Sequence, residues 1–267
     1  MAPIAQDFGP PDLWARMQAA GIARAIAVQA APTRAETDWL LAQAAGSTQI
    51  AGVVGWADLT QPDIAATLDA MALNPVLRGI RPMLQDLPQT DWLLDAPHPD
   101  WVAGMLDSGL RFDALVRPQH LDMLLRFCAR HPDLPVVIDH AAKPVLSAAP
   151  DDPRHALWRD GMARLATETG ACCKLSGLLT EMAPGQLPRA RAILLPLMDQ
   201  LLDWFGADRL MWGSDWPVLR MAGTHSGWCA LVDDWLADKP QAVRTCISGA
   251  TAARFYGLAP ATDEGSA

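Results

Sequence analysis

Residues 209–217 read RLMWGSDWP, and this stretch gives the strongest indication of the fold. An apolar run with the length of a short buried strand ends in Gly-Ser-Asp, and Pro217 then stops strand pairing because it has no N–H donor. A carboxylate at the end of a buried strand costs free energy unless it has partners or a function. Asp215 is therefore a candidate catalytic residue; the alternative is a helix cap or an ion pair with an arginine.

Six other apolar runs share this design and alternate with segments of helical character. The strand starts recur about every 30 residues, the length of one strand–helix unit. This alternation predicts an α/β fold in which helices cover a parallel sheet. The predicted strands are 25–29, 50–56, 77–82, 112–117, 135–140, 172–177 and 210–215, and the clearest helices are 119–130, 188–205 and 227–238.

Both an open doubly wound sheet and a closed barrel fit this alternation. No glycine-rich phosphate loop follows the first strand, which argues against the dinucleotide-binding sheet. Polar residues instead follow the carboxyl ends of the strands, where a barrel collects its chemistry. We therefore predict a (β/α)8 TIM-type barrel. Only seven strands are visible, and residues 5–16 predict a loop and a helix, so we expect the first strand to be missing.

Composition and charge limit the domain organisation and the partners. We predict one N-terminally incomplete barrel domain over residues 1–258 and a disordered tail over 259–267, which is small and polar. The net charge of −9 argues against nucleic acid, and no apolar run approaches the roughly 18 residues of a membrane helix. The five cysteines show no CxxC spacing, which favours reduced thiols. We expect a soluble cytoplasmic protein that acts on a small molecule.

A second candidate follows another strand, in residues 135–140, PVVIDH. Neighbouring residues on a strand face opposite sides, so Asp139 and His140 would not both enter the barrel if the strand included them. An imidazole across from Asp215 is a candidate metal ligand, proton carrier or carbonyl polariser. The alternative is a structural histidine.

Five further residues are candidates for substrate binding. Lys174 lies in an apolar run, where a buried ammonium needs either an ion-pair partner or a substrate group. Arg81 has the same two interpretations, an oxyanion holder or a barrel salt bridge. The other three candidates are weaker: Gln29, His120 and Trp216. We expect Arg78 and Arg117 to be structural.

Six segments together resemble the amidohydrolase-related superfamily, in its branch of sugar-lactone and pyrone-dicarboxylate lactonases. The resemblance covers nearly the whole chain, in the order 28–37 (VQAAPTRAET), 78–85 (RGIRPMLQ), 137–144 (VIDHAAKP), 173–177 (CKLSG), 209–217 (RLMWGSDWP) and 251–257 (TAARFYG). It implies a distorted barrel in which Asp215 activates the attacking water and His140 lies across from it. It also makes Arg81 and Lys174 candidates to bind the lactone or to stabilise its oxyanion.

The resemblance therefore predicts a hydrolase that opens a small lactone derived from a sugar acid, without an organic cofactor. A divalent metal such as zinc, held by His140 and Asp215, is compatible with the family, although some members work without one. Two alternatives remain open. One is metal-dependent decarboxylation or amide hydrolysis on the same scaffold, and the other is a truncated barrel with impaired catalysis.

One departure from the family pattern bears on activity. The family normally begins with a strand that ends in His-x-His, and this sequence contains no such motif. We therefore expect weak metal binding and poor activity. A missing strand would also expose the edges of its two neighbours, and exposed edges invite pairing between molecules, so a homo-oligomer is a further expectation.

Overall fold

Seven parallel strands form a single sheet in the computed structural model, which describes residues 2–258. The strands pair in chain order from β1 to β7, so each is hydrogen-bonded to its neighbour in sequence. All seven predicted strands are confirmed, with slightly shorter bounds. They are β1 Ala25–Val28, β2 Ile50–Gly55, β3 Leu77–Ile80, β4 Arg111–Ala114, β5 Val136–Ile138, β6 Cys172–Leu175 and β7 Leu210–Trp212.

Helices connect the strands and cover the outer face of the sheet. The longer predicted helices are confirmed, although Pro188 lies in a preceding 3-10 turn and not at the start of its α-helix. The α-helices are α1 Pro10–Ala19, α2 Arg34–Ala45, α3 Ile64–Ala72, α4 Trp92–Asp95, α5 Trp101–Asp107, α6 Leu121–Arg130, α7 Pro153–Glu168, α8 Ala190–Phe205, α9 His225–Leu236, α10 Gln241–Thr245 and α11 Thr251–Phe255.

The sheet curls so that its two faces bury different apolar clusters. Val53 belongs to the large cluster between strands and helices, whereas its neighbour Val54 belongs to a small interior cluster. Adjacent strand residues face opposite sides, so the second cluster marks the inside of the curl. Its other buried members come from β5, β6, β7 and the chain after α11: Val137, Cys172, Met211 and Tyr256.

The fold is therefore an α/β barrel of the TIM type that is missing a strand, as the sequence predicts. Over residues 2–258, β7 does not pair with β1, so the sheet stays open between these strands. Within the same range, no helix is both long and apolar enough to cross a membrane. The predicted disordered tail, 259–267, lies outside the described residues.

Strands β3 and β4 approach so closely that position 79, on β3, requires a glycine. Gly79 pairs with Arg111, and a Cβ added at Gly79 would lie 2.6 Å from the backbone oxygen of Arg111. A side chain there would push the two strands apart, because a backbone oxygen cannot move aside alone. This close contact fixes the end of β3, from which Arg81 follows.

We expect Gly79→Ala to lower the free energy of unfolding by about 1–3 kcal/mol, the usual cost of overpacking a buried position. Gly170→Ala is the matched control, because a Cβ there meets nothing within 4 Å. Urea unfolding of both variants measures the difference. Equal midpoints for the two variants would contradict the proposed backbone clash.

Candidate functional site

Asp215 lies directly beyond β7, at the carboxyl end of the sheet. The Gly213 N–H donates to Leu175 O at 3.1 Å, which continues the pairing of β6 and β7 by one residue. The Trp228 indole of α9 donates to Gly213 O at 2.9 Å. The backbone then turns sharply, and Asp215 has a φ of 54°. Its side chain keeps 17% exposure, so the carboxylate is held by rigid elements but still reaches solvent.

His140 lies in a turn, not on a strand as the sequence alone implied. Strand β5 ends at Ile138, and residues Asp139–Ala142 form a short 3-10 turn in which His140 has a φ of 52°. The Trp158 indole donates to Ala141 O at 2.7 Å and holds this turn. The expectation that Asp139 and His140 face opposite sides of a strand does not apply, because the strand stops before both. Both side chains therefore enter the site region.

The turn brings His140 opposite Asp215. The His140 Nε2 lies 3.7 Å from Asp215 Oδ1, and the His140 Nδ1 lies 2.8 Å from the Ser176 hydroxyl oxygen. A separation of 3.7 Å is too long for a direct hydrogen bond. It leaves the Asp215 oxygen and the imidazole nitrogen side by side, each able to bind a group that enters between the strand ends.

Gly177 leaves the space that the imidazole fills. Its φ is 64°, a region that favours glycine, and a Cβ added there would lie 2.8 Å from the ring atom Cγ of His140. The KLSG motif thus supplies two features of the site, the hydroxyl of Ser176 and the absence of a side chain at Gly177. Together they fix the position of the ring.

Burial lowers the pKa of His140, and the negative charges of Asp215 and Asp139 only partly oppose that effect. Its side chain is only 11% exposed. The neutral imidazole is therefore the dominant form near neutral pH. A neutral ring can donate from one nitrogen while it accepts at the other.

A buried network of four charges lies beneath this pair. Lys174 Nζ lies 2.5 Å from Asp113 Oδ2 and 2.6 Å from Asp139 Oδ1. The Arg81 guanidinium donates to Asp139 Oδ2 at 3.0 Å. Tyr256 donates its hydroxyl to Asp113 Oδ2 at 2.7 Å. Both carboxylates are fully buried, so the two cations neutralise them inside the barrel.

Lys174 and Arg81 thus both have the ion-pair partners that one of their two interpretations requires, and a role in substrate binding remains a prediction for both. Burial raises the pKa of the Asp139 carboxyl, but Lys174 and Arg81 together bring it below its ordinary value. An ionised Asp139 in turn keeps both cations engaged.

The other three predicted substrate-binding residues contact backbone groups or another aromatic ring. Gln29 is fully buried, and its amide donates to Arg81 O at 2.6 Å. His120 is also buried, and its Nδ1 accepts from the Arg117 N–H at 3.0 Å. Trp216 packs edge-on against Phe8, with ring centroids 5.1 Å apart. A role in substrate binding remains a prediction for all three.

Two residues near the pair were not selected from the sequence. Lys143 Nζ lies 3.9 Å from Glu181 Oε1, and each side chain is about one-fifth exposed. Burial raises the pKa of Glu181. The positive charges of Lys143 and Arg117 oppose this rise, and the negative charge of Asp215 adds to it. Lys143 ends the DHAAK segment, three residues after His140, so the motif around His140 could have indicated Lys143. Nothing in the pattern around Glu181 indicated its position.

We expect Lys174→Met to destabilise the fold by about 3–5 kcal/mol, because Asp113 would lose the one cationic partner that it has within residues 2–258 and would remain buried. Adding Asp113→Asn should recover part of that loss, since the uncompensated charge is then removed. Urea unfolding of the single and double variants makes the comparison. A double variant less stable than Lys174→Met would contradict this account of the network.

The described residues do not form a metal site with the usual number of ligands. Over residues 2–258, no group of three or more His, Cys, Asp or Glu side chains is arranged to hold a metal ion. His140 and Asp215 together supply two ligands, whereas catalytic zinc sites have three protein ligands. The divalent metal that the family resemblance made possible does not fit these residues.

Comparison with known proteins gives consistent matches over most of the chain. The profile of a family described as Amidohydrolase matches residues 2–258. An L-fucono-1,5-lactonase of Burkholderia ambifaria is 43% identical over 261 residues, which are 95% of this chain and 86% of the relative. An L-fucono-1,5-lactonase of Burkholderia multivorans is 38% identical, over 98% of this chain and 90% of the relative.

A solved structure extends the comparison to three dimensions. An amidohydrolase from Burkholderia multivorans with bound Zn superposes with a TM-score of 0.85 at 35% identity. The match covers 97% of this chain and 92% of that one. The barrel described above is therefore shared with a protein of known structure.

Proposed function

The chain belongs to the amidohydrolase family, and from that premise we propose that it hydrolyses a small sugar-acid lactone. The two relatives that are L-fucono-1,5-lactonases support this substrate class. The observation that carries the proposal is the pairing of Asp215 with a neutral His140 at the carboxyl ends of the strands. A carboxylate base beside an uncharged N–H donor suits attack of water on an ester carbonyl.

In the proposed reaction, Asp215 is the general base. Its carboxylate binds the attacking water and accepts one proton while the water oxygen forms a bond to the lactone carbonyl carbon. A carboxylate is a weak base in solution, but a water held in place reacts without the entropy cost of a bimolecular encounter. The rigid end of β7, which places Asp215, supplies that positioning.

The imidazole of His140 would stabilise the oxyanion that forms on the carbonyl oxygen. If the Ser176 hydroxyl donates to Nδ1, then Nε2 carries the ring hydrogen and donates it toward the site. Donors aimed at developing negative charge usually give a large share of the rate enhancement. Lys143 adds a nearby positive charge. We assign this role to His140 and Lys143, and not to Arg81 and Lys174, because buried carboxylates occupy the latter two.

Ring opening completes the reaction with the same proton. When the tetrahedral intermediate collapses, the bond between the carbonyl carbon and the ring oxygen breaks. Asp215 returns its proton to that oxygen, which becomes the hydroxyl of the product. The product is a hydroxy acid that loses a proton to solvent at neutral pH. The scheme uses side chains alone, and no step passes through a metal.

We expect Asp215→Asn to lower kcat for L-fucono-1,5-lactone by roughly 100-fold or more, since general-base catalysis contributes 10²–10⁴-fold. Asp203→Asn, an exposed carboxylate on α8, is the control and should retain the rate of the parent protein. A pH-indicator assay for acid release measures both variants. An Asp215→Asn protein as fast as the control would refute the proposed function.

The absence of a His-x-His motif still predicts poor activity, and the same assay measures it. A kcat/KM below the usual enzymatic range of about 10⁴–10⁸ M⁻¹s⁻¹ would agree with that expectation. The loss of activity in Asp215→Asn relative to Asp203→Asn is a separate result, because it does not depend on how active the parent protein is.

The pH dependence of kcat/KM should follow the neutral form of His140. Because the pKa of His140 is lowered, activity should persist below pH about 6.5 and decline only as pH falls through the lowered value. His140→Gln removes this titration, so its residual activity should lose that part of the acid limb. Initial rates corrected for spontaneous lactone hydrolysis give the profile. An acid limb centred above pH 6.5 would contradict a neutral working imidazole.

A further inference from the structure

We propose that the mouth of the barrel opposite the catalytic pair contains a second binding site, for a small divalent oxyanion of the phosphate class. A cleft of about 340 Å³ opens at this end. It is lined by three arginines, Arg111, Arg209 and Arg254, together with Pro135, Cys172, Asp208, Thr251 and Phe255. These residues lie at the amino ends of strands or on the final helix, far along each strand from the site of Asp215.

The strand pattern explains why cations converge there. Arg111 precedes the interior residue Asp113 by two positions, and Arg209 precedes the interior residue Met211 by two. Residues two apart on a strand share a face, so Arg111 belongs to the innermost layer at the amino end of β4. Arg209 ends the 3-10 turn Ala207–Arg209 directly before β7 and lines the same cleft. Arg78 at the start of β3 joins this layer, since its side chain passes next to Gly52 of β2.

Three of these guanidiniums, those of Arg111, Arg209 and Arg254, are held by backbone carbonyls and not by carboxylates. Arg111 donates to Phe255 O at 2.6 Å, Arg209 donates to Thr169 O at 3.0 Å, and Arg254 donates to Asp208 O at 2.5 Å. Within residues 2–258, none of these three arginines, nor Arg78, has a carboxylate oxygen within 4.0 Å. Asp208 is the sole acidic residue that lines the described cleft.

This arrangement leaves a concentrated positive charge in a chain of net charge −9. Burial lowers the pKa of Arg111, and the like charge of Arg78 lowers it further. The Nε of Arg78 is buried and has no hydrogen-bond partner among the described residues. Repulsion between like charges costs free energy, and an anion bound in the cleft would offset that cost.

The geometry favours a compact oxyanion with several acceptor oxygens. A guanidinium presents a planar fork of donors that matches phosphate, and several forks around one cleft can each bind a different oxygen. The backbone bonds already fix three of the side chains, so little rotamer entropy remains to be lost on binding. The cleft volume suits a small ion or the phosphoryl end of a small metabolite.

Calorimetric titration with inorganic phosphate tests the proposal at fixed ionic strength, with sodium chloride as the balancing salt. We expect one saturable site, which Arg254→Gln weakens about tenfold or more, because the variant loses a charge-assisted hydrogen bond to the anion. Arg254 is exposed, so this variant should fold normally. Arg164→Gln on α7 makes the same charge change away from the cleft and should bind like the parent protein.

Three results would overturn the proposal. The first is no saturable heat beyond that of the salt control, and the second is equal affinity for Arg254→Gln and Arg164→Gln. The third is loss of binding in Lys143→Gln, which would place the phosphate at the catalytic pair. Retention of binding in Lys143→Gln supports a separate site, whatever the outcome of the lactone assay.

Discussion

The buried network of Asp113, Asp139, Lys174 and Arg81 is the interaction on which the rest of the structure depends. Two carboxylates without exposure are tolerable only because two cations lie within ion-pair distance of them. Since these residues come from or directly follow four consecutive strands, β3 to β6, their mutual neutralisation fixes the positions of those strand ends. Tyr256 extends the constraint to the end of the chain through its bond to Asp113.

The network also explains how the catalytic pair is held. Asp139 begins the turn that follows β5, and its two cationic partners anchor that turn at its first residue. The next four residues, 140–143, all have positive φ, a conformation that needs support from the surrounding structure. With Asp139 fixed on one side and Ser176 bonded to the ring on the other, His140 is directed toward Asp215. The proposed chemistry of His140 and Asp215 thus depends on the buried ion pairs of Asp139 beneath them.

Much of this architecture follows from sequence patterns, and the exceptions have specific physical causes. The seven strands were predictable because short apolar runs with polar ends repeat at a constant interval. The position of Asp139 was not predictable from the sequence. Strand alternation assumes that the strand continues through this residue, whereas β5 ends one residue earlier, at Ile138. The partners of Lys174 and Arg81 depend on contacts across 35 to 61 positions, which no local pattern contains. Glu181 comes near the site only through the turn after β6.

The central claim is that Asp215 and His140 act on one reaction in one place, and a double-mutant cycle of lactone hydrolysis tests it most directly. The rates of Asp215→Asn, His140→Gln and the double variant are compared with that of the parent protein. Residues that act as a unit are strongly non-additive. The account predicts that the double variant loses little more activity than the slower single variant. Losses that multiply in full would contradict it, because each residue would then contribute independently of the other.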